Sequence, residues 1–360
     1  GESVPLELVQ GLASRVLAEL TGAEAGIVTS GAAAALTLGS AAVLAGYDLS
    51  RMEKLPHAEG MPHEFVVARE QRNGYDHAVR VAGARFVEVG FHELAAGSGV
   101  RRAEAWEYEV AFGPRTAGVF YVHGPGTHPP LAEVAARAHA RSLPVLVDAA
   151  GELPPRSNLR AILEAGADLV AFSGGKAIRG PQATGILCGR RDLIAAAALQ
   201  MLDSDDHYEL WDPPEAFIDR HRLGGLPRQG IGRAMKVSKE QIVALVTALR
   251  LFASGAYDGE LSEMRRRLEQ IAAALEGLPA RPRLHVPTDG QSAPLLEVAL
   301  DEAALGRTAL EVCRRLRRGD PPIQVGHALL HEGKLIVHPL CLKDEQTVVL
   351  ARRLREELTP

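Results

Sequence analysis

The sequence predicts an α/β protein: a mostly parallel sheet with helices on both faces, followed by a smaller α/β region. Three observations carry this expectation. Strand-like and helix-like stretches alternate through the first half of the chain, the rhythm of parallel strands joined by crossover helices. Two apolar runs, Val145-Leu146-Val147-Asp148 and Leu169-Val170-Ala171-Phe172-Ser173, end on polar residues and are bounded by Pro144 and by Gly174-Gly175. Such runs read as strands buried on both faces. From Pro282 onward the rhythm changes to short strands and two helices.

Taken in order, Leu6 to Leu20 sets Leu8, Leu12, Val16 and Leu20 near helical spacing, and Gly22 ends that helix. Ala25 to Val28 is a strand. Thr29-Ser30-Gly31 then turns the chain into a helix of small residues, Ala32 to Ala45. Strand Glu64 to Ala68, helix Tyr75 to Ala82 and strands Arg85 to Val89 and Gly118 to Val122 follow. Helix Leu131 to Arg141 leads to strand Pro144 to Val147, and Thr184 to Cys188 is a strand that returns along the sheet. Asp203 to Leu226 breaks the rhythm with Trp211, Pro213, Pro214 and several acids and histidines. It reads as a long irregular segment of the kind that carries binding residues. Val237 to Ala253 and Glu260 to Glu276 are helices. Beyond them come strands Pro294 to Leu300, Ile323 to Gly326 and Lys334 to Pro339, with helices Leu305 to Arg317 and Glu345 to Leu358. The expected division is a large domain, 1–236, and a connecting helix with a small C-terminal domain, 237–360.

Composition narrows the function. The chain has 360 residues, 46% hydrophobic and 24% charged, enough for one large domain or two smaller ones. A net charge of -5 gives no electrostatic case for binding nucleic acid. Cys188, Cys313 and Cys341 are odd in number and form no CxxC, which favours a reducing, cytoplasmic location over a disulfide framework or a structural zinc site. No apolar run reaches membrane-spanning length, and no signal peptide is visible. No metal is expected: Gly326 and Gly333 bracket His327 and His331 in a turn, and Asp203, Asp205, Asp206 and His207 read as a solvated acidic loop.

In an open α/β sheet the chemistry sits beyond the carboxyl ends of the strands. Asp148 and Lys176 are therefore expected to project into one crevice from neighbouring strand ends. That pair suits pyridoxal 5'-phosphate. The lysine amine forms a Schiff base with the aldehyde, and the carboxylate keeps the pyridine nitrogen protonated so that the ring acts as an electron sink. Thr29, Ser30, Gly31 and Ala32 offer hydroxyls and amides at a helix start, where a phosphate dianion is favoured, and Ser173 is a further phosphate donor.

These stretches, with Arg72-Asn73-Gly74-Tyr75-Asp76-His77-Ala78, Gly180-Pro181-Gln182 and Gly230-Ile231-Gly232-Arg233-Ala234-Met235-Lys236, resemble fold-type-I pyridoxal-phosphate enzymes. More narrowly, the chain is similar to the selenocysteine synthase (L-seryl-tRNA selenium transferase)-like group that includes D-glucosaminate-6-phosphate ammonia-lyase. The resemblance spans nearly the whole chain. It implies a mainly parallel seven-stranded sheet, with Lys176 as the Schiff-base lysine and Asp148 as the pyridinium partner. Thr29, Ser30, Gly31, Ala32 and Ser173 fall at the phosphate cradle. Arg233 and Lys236 fall where the family keeps basic residues near the site. One of Asn73, Tyr75 and His77, beside Arg72, covers the cofactor ring. His123 ends a strand and reads as structural or as a further group reaching the crevice.

The resemblance also implies a homodimer or a dimer-based assembly, with Gln182 at the place that reaches a neighbour. The Asn-Ala-Ala-Gly-Thr-like N-terminal motif of relatives is not matched, so an N-terminal segment is expected to be missing or absent. The tRNA-handling domain of selenocysteine synthase is not matched either, which disfavours selenium transfer.

The expected reaction is α-proton abstraction and β-elimination from an amino acid or amino sugar acid, giving a keto acid and ammonia. Racemisation, aldol cleavage and β-replacement share its first steps. A cofactor fold that binds without turnover is the reading from another class. A nicotinamide dehydrogenase is disfavoured by the missing GxGxxG after the first strand.

Overall fold

The computed structural model describes residues 4–91, 102–203, 205–226 and 228–359. The chain forms two compact units that divide between Ser254 and Gly255. In the first, helix α1 (Leu6–Thr21) precedes strand β1 (Ala25–Thr29), and α2 (Ala32–Ala45) and α3 (Leu49–Lys54) precede β2 (Glu64–Ala68). Helix α4 (Asp76–Val81) leads to β3 (Arg85–Val89), α5 (Ala105–Ala111) to β4 (Thr116–Val122) and α6 (Leu131–His139) to β5 (Val145–Asp148). Then come α7 (Asn158–Glu164), β6 (Leu169–Ser173), β7 (Gly185–Gly189), α8 (Arg191–Met201) and α9 (Lys239–Ala253). Helix α9 belongs to this unit and packs against α1.

The seven strands are ordered β1-β7-β6-β5-β4-β2-β3. β2 to β6 run parallel, while β7 is antiparallel to both β6 and β1. The returning strand expected at Thr184 to Cys188 is this β7. Because β1 opposes β7, it runs with the parallel set. Thr29, Asp148, Ser173 and the start of β7 therefore meet at one end of the sheet, and Gly185 lies opposite both Thr29 and Ser173. β1, β5 and β7 are buried at every position, as continuous apolar strands require. Helix α2 packs between these strands and α8. That double cover explains a helix apolar all round instead of amphipathic.

Among the described residues β1 has no strand on its outer edge, and α1 closes it. Gln10 Nε2 donates to Val28 O at 2.8 Å, and Val28 N donates to Gln10 Oε1 at 3.0 Å. Gly26 N donates to Ser14 Oγ at 3.0 Å. Both Gln10 and Ser14 are buried, so these bonds replace the missing ladder.

The second unit packs helices α10 (Glu260–Ala274), α11 (Glu302–Leu305), α12 (Ala309–Arg318) and α13 (Asp344–Leu358) with a three-stranded sheet. The strands β8 (Ala280–His285), β9 (Leu295–Leu300) and β10 (Lys334–Val337) are antiparallel, in the order β10-β9-β8. Leu268, Leu296, Val298, Leu316, Leu335 and Leu354 lie in its core. The strand expected at Ile323 to Gly326 does not form. Only Gly326 bridges, to Ile336, because Pro321 and Pro322 just before it lack the amide donors a ladder needs.

Candidate active site

Asp148 ends β5 and is 7% exposed. Burial raises its carboxyl above the ordinary range, against the Ala150 amide, which donates to Oδ1 at 3.0 Å, and the positive charge of Lys176, which both lower it. Lys176 lies in the turn after β6. A Cβ on Gly151, in the loop following Asp148, would stand 3.7 Å from Lys176 Nζ. Asp148 and Lys176 thus lie at the same end of the sheet, near enough for the lysine's charge to act on the carboxyl.

Glycines let the lysine turn close. Gly180 N donates to Gly174 O at 2.8 Å and Arg179 N to Lys176 O at 2.9 Å. A Cβ on Gly175 would lie 2.8 Å from the Cα and O of Gln182. So the two loops touch through backbone, while the Gln182 side chain is exposed. Arg179 adopts a positive φ of 60° in this turn.

The loop expected to cradle the phosphate is built the same way. Gly31 is the N-cap of α2, and its Cβ position is open to 4 Å. Behind it, a Cβ on Gly185 would fall 2.3 Å from Gly31 C and 2.6 Å from Ala32 N. The sheet therefore supports the loop with nothing between. Thr29 Oγ1 donates to Gly31 O at 2.8 Å, so its proton stays within the turn. Ser30 and Ser173 are half-buried.

Ser30 also lines a cleft of about 400 Å³ with Thr37, Gly74, Tyr75, His77 and Met235. Asn73 Oδ1 accepts from Tyr75 N at 2.8 Å, which fixes the turn that presents Tyr75 and His77. Arg72 is occupied: it pairs with Asp76 and Glu88, and its guanidinium lies 4.8 Å from the Phe86 ring centroid. Arg233 pairs with Asp203 at 2.8 Å, and Lys236 adds its charge to the same carboxylate.

His123 follows β4, its N–H donating to Asp148 O at 2.9 Å. Its Nδ1 is buried with no hydrogen-bond partner among the described residues, and burial lowers its pKa. An orphaned ring nitrogen of this kind calls for a ligand group.

Glu152 escaped sequence reasoning. It lies in the turn after Asp148, with Glu152 N donating to Ala149 O at 3.1 Å. Burial first, and then the charge of Asp148, push its carboxyl up, while Lys176 pulls it down. The signal was its position four residues past a strand-ending aspartate, a place that usually faces solvent.

The residues fit pyridoxal phosphate. An open, glycine-backed helix start suits the phosphate. A buried carboxylate suits the ring nitrogen, an amine lies near enough for its charge to act on that carboxylate, and the His123 Nδ1, unpartnered among the described residues, offers a further polar contact.

A family model for class-V aminotransferases matches residues 98–206. A 5'-C-glycyluridine monooxygenase-decarboxylase of a Streptomyces species is 31% identical, over 99% of this chain and 82% of its own length. The D-glucosaminate-6-phosphate ammonia lyase of Salmonella typhimurium is 30% identical, over 95% of this chain and 83% of its own. A solved structure of D-glucosaminate-6-phosphate ammonia-lyase superposes with a TM-score of 0.78 at 27% identity, covering 99% of this chain and 88% of that one.

Proposed function

Since this chain belongs to the fold-type-I pyridoxal-phosphate enzymes, in the group of D-glucosaminate-6-phosphate ammonia-lyase and its selenocysteine synthase-like relatives, we propose that it is a lyase removing ammonia from a hydroxylated amino acid or amino sugar acid. What supports this reading is the nearness of Lys176 to the buried Asp148, whose carboxyl feels the lysine's charge, in a chain similar to an ammonia lyase over 95% of its length. Pyridoxal phosphate, when bound, supplies the electron sink that accepts the pair left by a broken C–H bond.

The chain's own residues do the rest. The amides of α2 and the hydroxyl groups of Ser30 and Ser173 hold the phosphate. Asp148 keeps a proton on the ring nitrogen. Lys176 Nζ takes the α-proton of the substrate. Five cations, Arg72, Arg179, Arg228, Arg233 and Lys236, are candidates for a second anion of the substrate; of these, Arg72 faces Asp76 and Glu88, Arg228 faces Glu53, and Arg233 faces Asp203. The reading therefore does not depend on a distal phosphate in the substrate.

The test is release of ammonia and keto acid across a panel of amino acids and amino sugar acids, with and without phosphate. Ammonia from a hydroxylated member supports the reading. Racemised substrate without ammonia, a released aldehyde, or no product despite bound cofactor would overturn it.

The likeness to the Streptomyces enzyme favours a second reading, oxidative decarboxylation of an amino acid joined to a sugar. Oxygen uptake with carbon dioxide release and no keto acid would select it. Among the described residues no helix is long and apolar enough to cross a membrane. The working form is a homodimer, and an active monomer by sedimentation would contradict that.

A further inference from the structure

We propose that Glu152 is the acid of this site: its carboxyl group protonates the departing hydroxyl of the substrate and regains that proton from Lys176. The inference rests on the lyase reading. The turn from Ala149 to Glu152 folds the chain back after β5, closed by the 3.1 Å bond from Glu152 N to Ala149 O. It brings Glu152 Oε1 to 3.8 Å from the point where a Cβ on Gly124, just past β4, would stand. One residue earlier, Gly151 approaches Lys176 Nζ with a Cβ position 3.7 Å away. Glu152 is thus framed by the ends of β4, β5 and the lysine turn.

The chemistry needs such a group. In β-elimination the Cα–H bond breaks and its proton goes to Lys176 Nζ. The Cβ–O bond then breaks, and its electron pair leaves on oxygen. Hydroxide is a poor leaving group, so the oxygen must take a proton as it departs. Asp148 is engaged at the ring nitrogen. Glu152 Oε supplies the proton, Lys176 returns one to Glu152, and the net loss is one water. The charged groups that act on the Glu152 carboxyl are Asp148 from β5 and Lys176 from the turn after β6. Burial and the negative charge of Asp148 keep Glu152 protonated at a pH where an open carboxyl is not.

Glu152→Gln is assayed on the hydroxylated substrate and on its counterpart with chlorine in place of the hydroxyl, since chloride leaves without a proton. Turnover of the first should fall by about 10²-fold and of the second by less than about threefold. Exchange of the α-proton with solvent deuterium, which uses Lys176 alone, should continue. Equal losses on both substrates, or none on either, would overturn the assignment. Glu152→Asp keeps the acid and should recover more than about a tenth of the wild-type rate; it serves if the glutamine variant fails to fold.

An independent readout uses cofactor-free protein with its glutamate carboxyls ¹³C-labelled. The Glu152 resonance should titrate above those of open glutamates, and it should move down in Asp148→Asn, because a neighbouring negative charge is gone. A Glu152 titration that matches the open glutamates counts against the proposal. If wild type releases no ammonia from any substrate, the lyase reading fails by itself, and this titration still reports whether Glu152 is held as an acid.

Discussion

Asp148 carries a carboxyl that folding buries and that the proposed chemistry requires. Its pKa is raised in the folded protein, so the cofactor-free fold binds that proton more tightly than the unfolded chain does. The associated stability is fully present below the unfolded pKa, about 3.9. It is lost as pH climbs through the raised folded value. Asp148→Asn removes the titration. Without cofactor the variant should melt roughly 2–4 °C above wild type at pH 7, and the gap should close toward pH 4. With cofactor, turnover should drop on the order of 10²-fold, because the ring-nitrogen proton is no longer held. Thermal scans at both pH values and a steady-state assay check the two halves. At Lys176, substitution by Ala should abolish both turnover and the covalent fixing of cofactor by borohydride, read by mass spectrometry.

At the scale of elements, two glycines and one glutamine do the positioning. Gly185→Ala would drive a methyl group into Gly31 and Ala32 and displace the start of α2. The affinity for pyridoxal phosphate, read by absorbance titration, should fall at least about tenfold, with about 1–3 kcal/mol of stability lost. Gln10→Leu leaves the buried N–H and C=O of Val28 unpaired. It should cost about 2–4 kcal/mol in urea unfolding while leaving the slope of the transition unchanged.

The elements best read from sequence are the ones whose burial leaves a simple trace. β5 and β6 are uninterrupted apolar runs, and α2 is a block of small residues after Thr29-Ser30-Gly31. Helices α3, α5 and α8 went unread. Leu193 to Met201 of α8 is buried throughout, so no polar face marks a period, and the other two have only six and seven residues. β8 was missed because Pro282 sits inside it opposite Val298; on an edge strand the missing N–H can face away from the ladder. Asp148 and Lys176 were legible because each closes or follows such a run. Glu152 was not, because its burial comes from loops that meet only in three dimensions.

Among the described residues, one core lies against the seven-stranded sheet and another around β8 to β10. The residues proposed to hold the cofactor lie in the first unit. Calorimetry with cofactor at about 100 times its Kd should therefore stabilise that unit by about 2.7 kcal/mol. A further consequence follows from the way β1 is closed. Its inner partner β7 begins at Gly185, while β1 itself ends at Thr29. On a ribosome adding about 5–20 residues per second, the partner arrives roughly 10–30 s after β1 emerges. During that interval α1, made just before, can cover one side of β1 and the other stays bare. A nascent chain halted between these strands should be the species that chaperones capture and that self-associates most readily, and one extended past Gly189 should escape both fates.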